Sequence, residues 1–490
     1  MNKKTAAIIS QREQPGQLNR AWQYISSQPW LTLAFICYWI WVNMAYQTPV
    51  GFPASESFGG FTYPTRLMPI TVSILAYLVL SIWFKRSTRV IRQSWYPALL
   101  VGAMSLGSLV IILAFPGHLI IAALLVGVSS ACLCIEMQRV FGHLGSQYVL
   151  FIGCAAMLVS SLFIFFLSFC PEFIRMLVMF LSPLPIAWGV RKTVRKINAK
   201  SFYTHGITAQ LFIPYRFLIT AMLHGLTIGV TLGFPALIAK EQSALQLMIL
   251  SYALAGILLF FIAMLFRLNY NHLIYHIGFP LAAMGALLLC VGNLPELGLF
   301  VQLMGFNFLH LLMWGLCTYF IKNLNLPATW VIATATCAFM CGQFIGGVAS
   351  TLMANLSNIA DSLRIVAGVT VFVILFGSLL LTSNRNLKTG WGLAHFGSNV
   401  NSDAASELAV KAMVTEFALT KRETDTLGLL VRGKSRKAIS DELFISEETV
   451  KTHASSIYEK LSVHSRQELI AIFDERRLQI KLEEPTSQFE

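Results

Sequence analysis

Charge is the first thing this chain runs short of. Charged side chains make up 12% of its 490 residues, while apolar ones make up 56%, about half the charged share of a soluble protein. A single water-soluble domain is excluded by that imbalance. The first twenty residues, with Lys3, Lys4, Arg12, Glu13 and Arg20, lack the short apolar core of a signal peptide, so no cleavage is expected. No phosphate-cradling glycine loop, metal cluster or nucleophile constellation occurs. Neither an enzyme nor a cofactor is therefore expected. The nine cysteines (Cys37, Cys132, Cys134, Cys154, Cys170, Cys290, Cys317, Cys337 and Cys341) all sit in apolar stretches. Zinc sites favour CxxC pairs beside water, so these thiols are read as packing residues, with no metal site and no disulfide framework.

What charge there is divides unevenly. Met1 to Gly390 holds 23 Lys and Arg against 7 Asp and Glu, and Trp391 onward holds 13 against 16. The net +13 is thus +16 from the first part and −3 from the second. Apolar runs long enough to cross a bilayer, about twenty residues, recur at 30–47, 66–84, 96–115, 118–137, 147–169, 172–190, 211–238, 244–266, 273–292, 297–321, 328–352 and 363–382. About twelve spans are expected. With the N-terminus placed in the cytoplasm, inside loops carry twelve basic residues, among them Lys85, Arg86, Arg139, Arg191, Lys200 and Lys322. Outside loops or their borders carry four: Arg66, Arg175, Lys240 and Arg364. That bias satisfies the positive-inside rule. An even span number then returns the C-terminus to the cytoplasm, and the chain is expected in a bacterial inner membrane.

The longest basic stretch, Arg191–Lys200, follows the sixth span. Six spans, a basic connection and six more resemble the architecture of the major facilitator superfamily over residues 25–385. That family carries a Gly- and Asp-containing signature after its second span. Here Ser81–Arg92 reads SIWFKRSTRVIR, without either residue, which argues against transport. The resemblance implies that the first, fourth, seventh and tenth helices face a central cavity. Glu136, Arg216, His224 and His310 are then candidates to hold a polar small-molecule effector, since ionisable groups inside a membrane are costly. Asn307 and Gln343 are further intramembrane polar groups. The alternative is that these groups snorkel or pair structurally, and Glu136 with Arg139 forms a possible i,i+3 ion pair. Trp39, Trp41, Trp314 and Tyr319 are read mainly as interfacial anchors, with a pocket lining as the other option.

After Thr382 the apolar runs stop, and residues 383–415, with Gly390, Gly392, Gly397 and several Ser and Asn, read as a linker. Ala404 to Val414 is helix-prone. Four short helices then follow. Thr420-Lys421-Arg422-Glu423 is a capping box, and Gly433 closes the helix it opens. Ser435, Ser446 and Ser465 begin the next three, the fourth running from Gln467 to Arg476. On the third, Val450, Ala454, Ile457 and Leu461 form one buried stripe. Lys451, Thr452, Ser455 and Glu459 point away from it. Such a face can read base edges in a major groove. Lys434, Arg436, Lys437 and Lys460 are suited to phosphates, though each could equally be a solvated surface charge.

Residues 419–470 closely resemble the LuxR-type helix-turn-helix, through Leu419-Thr420-x-Arg422-Glu423, Gly433-Lys434-Ser435, Ile445-Ser446, Thr449-Val450-Lys451-Thr452-His453, Lys460-Leu461 and Ser465-Arg466. The resemblance implies double-stranded DNA as partner, base contacts by Lys451, Thr452 and Ser455 with Thr449 beside them, and a fourth helix that dimerises through about Glu468–Phe473. Ser440 departs from the family's usual Ala. A phospho-acceptor receiver needs clustered aspartates, and before residue 403 the only one is Asp361. The membrane bundle takes the place of a receiver. The expected fold is all-α: a polytopic, facilitator-like bundle, then a small four-helix DNA-binding domain. The expected order is an N-terminal segment 1–29, a membrane sensor 30–382, the linker, the helix-turn-helix domain 416–477 and a tail 478–490. A membrane-bound one-component transcriptional regulator, homodimeric on DNA, is the leading expectation. A secondary transporter with a regulatory tail is the alternative.

Overall fold

The computed structural model describes residues 17–48, 50–196, 199–209, 211–234, 241–266, 268–291, 295–356, 359–382, 409–410, 412–431 and 434–483. They fall into two compact units, Met1–Ser398 and Asn399–Glu490. The expected linker, apart from 409–410 and 412–415, lies outside the described residues, as do Gly433 and the tail from 484.

The first unit is a helical bundle. It opens with α1 (Gln17–Ser27) and α2 (Pro29–Gln47), then a hairpin of β1 (Glu56–Phe58) and β2 (Phe61–Tyr63). The bundle continues through α3 (Leu67–Ile82), α4 (Phe84–Ile91), α5 (Tyr96–Leu113), α6 (His118–Leu144) and α7 (Ser146–Ser168). Next come α8 (Glu172–Leu181), α9 (Pro183–Val194), α10 (Ala199–Thr204), α11 (Tyr215–Gly229) and α12 (Glu241–Phe266). The last four are α13 (Tyr270–Val291), α14 (Pro295–Asn323), α15 (Ala328–Leu356) and α16 (Ile359–Leu381). Every one of the twelve expected apolar stretches carries helix. Among the described residues, eight helical segments are by themselves long and apolar enough to cross a membrane, or nine if the bent pair α3–α4 counts as one.

The helix break at Trp83 accounts for part of the difference. Between α3 and α4 the axis turns by 101° at Trp83. α4 is amphipathic: Phe84 and Ile91 are buried while Lys85, Arg86 and Arg89 face out, as in a helix lying along an interface. The expected span 66–84 thus ends at Ile82. Pro183, lacking an amide hydrogen, starts α9 and divides the sixth stretch into two helices. α13 opens with a π-helical turn, Leu273–Gly278.

Small residues let the helices close. A Cβ at Gly225 of α11 would lie 1.8 Å from the Phe339 carbonyl oxygen, and one at Gly342 of α15 would lie 1.9 Å from that of Met222. The two backbones touch there, the packing that glycine permits between apolar helices. The hairpin turns through Gly59 and Gly60, both at positive φ. Asn355 of α15 bonds both backbone groups of Thr62, accepting at 2.9 Å and donating at 2.7 Å.

The second unit holds α17 (Lys421–Val431), α18 (Arg436–Leu443), α19 (Glu447–Lys460) and α20 (Arg466–Glu483). α20 runs beyond the expected Arg476. Leu427, Leu430, Ile439, Val450, Ala454 and Ile457 meet in its core. Ala409 and Met413, on helical backbone upstream, are also buried there. The packing therefore reaches above the expected start at 416.

Candidate functional site

Serine oxygens begin the helices of the C-terminal unit. Ser435, Ser446 and Ser465 accept from the backbone amides of Ala438, Thr449 and Glu468 at 3.2, 3.1 and 3.2 Å, each satisfying a donor that the helix leaves open. Phe444 ends α18 in left-handed geometry, φ 54°, and redirects the chain into α19. At about 100° per residue, α19 presents two faces. Val450, Ala454, Ile457 and Leu461 are buried, and Lys451, Thr452, Ser455 and Glu459 are exposed. Thr449 sits between, its hydroxyl 2.7 Å from that of Ser446. Lys451 reaches Glu448 at 3.0 Å, but both side chains are well exposed. A surface pair of this kind is worth little and exchanges readily for another anion.

The basic residues divide into two kinds. Arg436 and Lys437 stand exposed on the first turn of α18. Lys434 pairs with Glu442. Lys460 is tied back to the domain surface: its ammonium donates to the Glu423 carboxylate at 2.8 Å and to the Ala418 carbonyl at 3.3 Å. Glu423 also accepts from Ser456 at 2.7 Å and from the Thr420 amide at 2.7 Å. The reciprocal half of the capping box, Glu423 amide to Thr420 hydroxyl, spans 3.4 Å. Bonds from Lys460, then Ser456, then Thr420 hold the Glu423 carboxyl down to about 2. Sequence spacing showed the capping box but not that its acid ties α17 to α19. Arg466 adds another tie, donating to the carbonyls of Leu430 and Lys434 at 3.0 and 2.8 Å.

The helical bundle contains a cavity of about 170 Å³, many times the 10–15 Å³ or so that one water needs. Its walls are helical stripes. α11 contributes Phe217, Ala221, His224 and Ile228, and α14 contributes Leu303, Asn307, His310 and Trp314, both at i, i+4, i+7, i+11 spacing. α2 brings Tyr38, Trp39 and Asn43, and α6 brings Ser130, Cys134 and Gln138. These are the first, fourth, seventh and tenth expected spans. Arg66, just before α3, and Gln343 of α15 also line the space.

Two histidines meet on the wall. His224 Nε2 lies 3.4 Å from His310 Nδ1, and the Trp314 indole donates to His310 Nε2 at 3.3 Å. For neutral rings this order puts the His310 proton on Nδ1, donating to His224, and the His224 proton on Nδ1. His224 Nδ1 is buried with no hydrogen-bond partner among the described residues. The His224 ring stacks against Phe306 and Phe339, centroids 4.8 and 5.0 Å away.

The other two effector candidates lie elsewhere. Glu136 is two residues from both Cys134 and Gln138, about 200° round the helix from each, and so turns from the cavity. It pairs with Arg139 at 3.1 Å, both side chains under 5% exposed. Arg139 also donates to Thr329 at 2.9 Å and lies over the Tyr203 ring. Arg216 donates to the carbonyls of Leu380 and Leu381 at 3.2 and 3.3 Å, closing the C-terminal end of α16. The aromatic residues read as interfacial anchors are interior. Trp39 and Trp314 line the cavity, Trp41 donates to Ser108 at 3.1 Å, and Tyr319 is buried. Each ring or indole NH finds its partner inside the bundle rather than at a headgroup. Arg66, counted from sequence only as a loop-border charge, is a lining residue. The stripe spacing on α11 and α14 was the sequence signal for the wall.

Fold and site define a polytopic helical bundle joined to a compact helix-turn-helix unit. Residues 418–473 match the family described as bacterial regulatory proteins, luxR family, and they are a LuxR-family helix-turn-helix domain, a DNA-binding regulator module. The HTH-type transcriptional regulator MalT of Serratia proteamaculans is 36% identical over 77 residues, 16% of this chain and 8% of that protein. The uncharacterized transcriptional regulatory protein YhcZ of Bacillus subtilis is 52% identical over 50 residues, 10% of this chain and 23% of YhcZ. The chain thus matches less than a quarter of either relative's length. The helical part is similar in outline to the major facilitator superfamily transporter FucP in its outward conformation. That likeness covers 74% of this chain and all of the other, at 12% identity and a TM-score of 0.48.

Proposed function

We propose that this chain is a membrane-bound one-component transcriptional regulator. The bundle senses a small molecule in its cavity, and the LuxR-family domain binds promoter DNA in the cytoplasm. The observation that carries the reading is the exposed Lys451–Thr452–Ser455 face of α19, in a LuxR-family domain, on the same chain as an apolar bundle with a polar-spotted cavity. Excess Lys and Arg in alternate loops of the sequence supports reading both termini as cytoplasmic, in a bacterial inner membrane. Specific binding engages two domains on paired half-sites, so the chain acts on DNA as a homodimer. A secondary transporter gains no support from the cavity, whose described lining contains no acidic side chain.

The test is capture of genomic fragments by the full-length protein in lipid nanodiscs, followed by mobility shifts on the captured sites. Lys451→Ala with Thr452→Ala is expected to weaken specific binding at least tenfold, given about 1–3 kcal/mol for a good base contact. Unchanged binding by this variant removes α19 as the reading element. Failure of the unmodified protein to enrich any fragment removes DNA binding altogether.

A further inference from the structure

Away from the cavity, an unassigned cluster of positive charge lies on α4. Lys85, Arg86, Arg89 and Arg92 are all exposed, and no acidic residue occurs between Glu56 and Glu136. Among the described residues, none of the four takes part in an ion pair. Lys85 lies 5.8 Å from the centroid of the Phe84 ring, a contact that supplies no counter-charge. At about 100° per residue, the four fall within about 120° of one another. Phe84 and Ile91, buried on the far side, hold the helix to the bundle. Val90, 48% exposed, lies on the edge between the two sides, and Trp83 and Trp95, 54% and 51% exposed, flank the helix. Bent 101° from α3, α4 does not carry on across the bilayer but lies along its face. One side then rests on protein, an apolar edge with tryptophans meets lipid, and the basic side lies at headgroup level.

A second basic stretch, Arg191, Lys192, Arg195 and Lys196, is as exposed. It continues from the end of one span, Glu172–Val194, and so carries its charge away from the membrane, whereas α4 lays its charge along it. We propose that α4 is a docking site for anionic phospholipid, its lysine and arginines binding the phosphodiester headgroups of the adjoining leaflet. Arginine forks take phosphate oxygens in pairs, and each basic residue beside an anionic surface adds an attraction that salt screens. DNA phosphates carry the same charge, but a duplex offers nothing to the exposed Trp83 and Val90, and acyl chains do. The site requires only that the bundle is embedded in a membrane, not that it senses a small molecule or that the chain binds DNA.

The test is lipid retention by the full-length protein in mixed micelles holding equal amounts of phosphatidylglycerol and phosphatidylcholine with matched chains, counted by native mass spectrometry. Phosphatidylglycerol is expected to be retained about tenfold over phosphatidylcholine, and the margin to shrink with salt. Lys85→Gln, Arg86→Gln, Arg89→Gln and Arg92→Gln together are expected to bring the two lipids near parity. Arg86→Lys, Arg89→Lys and Arg92→Lys together should keep most of the preference, and Gln at Arg191, Lys192, Arg195 and Lys196 should leave it unchanged. No preference in the unmodified protein overturns the proposal. So does a preference that survives the α4 exchange or falls equally with both sets of Gln substitutions. If the α4 exchange instead lowers retention of non-specific duplex DNA and spares the lipid preference, α4 docks on nucleic acid and the lipid assignment falls. Should the four-site variant fail to fold, quenching by chain-brominated phosphatidylglycerol and phosphatidylcholine is compared between the unmodified protein and Trp83→Phe. The Trp83 contribution is expected to be quenched more by phosphatidylglycerol, and equal quenching by the two lipids overturns the proposal.

Discussion

A single carboxylate can carry much of a small domain, and Glu423 does so here. Its side chain is 7% exposed and serves three donors at once: Lys460, Ser456 and the Thr420 amide. Hydrogen bonds to a charged group contribute about 1.5–3 kcal/mol each when buried, and the 34% exposure of Lys460 reduces its share through solvent screening. Glu423→Gln is therefore expected to destabilise the domain by roughly 1–2 kcal/mol. The pH dependence follows from the depressed pKa. The carboxyl falls from the ordinary 4.5 to about 2 in the fold, so its stabilisation is complete above about 4.5 and is lost as pH falls toward 2. Denaturant unfolding of residues 399–490 as a function of pH should show this loss in the native sequence and a flatter profile in Glu423→Gln. Matching acid profiles for the two would mean that the stability depends on other groups.

At the scale of elements, the helix-turn-helix separates charges that look alike in sequence. Arg436 and Lys437 are exposed at the start of α18, while Lys460 is committed to Glu423. Each phosphate contact releases counterions and adds about 0.9 to the salt slope of DNA binding. Arg436→Ala with Lys437→Ala is expected to lower that slope by about two and to weaken all DNA sequences alike. Lys460→Ala should change the slope little and cost stability instead. Affinity measured across a salt series separates the two outcomes, and a full unit of slope lost with Lys460→Ala would contradict the structural role. The same contrast shows what was legible beforehand. Helices were readable because apolar length and serine caps are local signals, and the α19 stripe because it repeats along one element. Breaks at Trp83 and Pro183, the Gly59–Gly60 hairpin, and the turning of Glu136 from the cavity were not. The breaks and the hairpin rest on one or two residues beside long apolar runs, while the turning of Glu136 depends on how one helix meets another, as does Lys460, whose partner lies 37 residues away. Arg66 was counted in sequence only among the outside border charges, and the packed bundle shows it lining the cavity.

For the whole molecule, a cavity in one unit and a recognition helix in the other make a regulator only if their equilibria are linked. A ligand shifts the DNA-binding state by no more than its differential affinity for the two conformations, and moving a population from 1:99 to 99:1 requires a preference of about 10⁴. Linkage makes the coupling reciprocal: if an effector changes the affinity for an operator fragment by some factor, the fragment changes the affinity for that effector by the same factor. Both are measurable on one preparation, by mobility shift and by tryptophan quenching of full-length protein in nanodiscs. Lys451→Ala with Thr452→Ala should keep effector binding and lose its modulation by DNA. Typical coupling energies of about 1–3 kcal/mol correspond to roughly 5- to 150-fold changes, well within reach of both assays. If ligand and DNA each bind but neither alters the other's affinity, the bundle anchors the DNA-binding domain without instructing it.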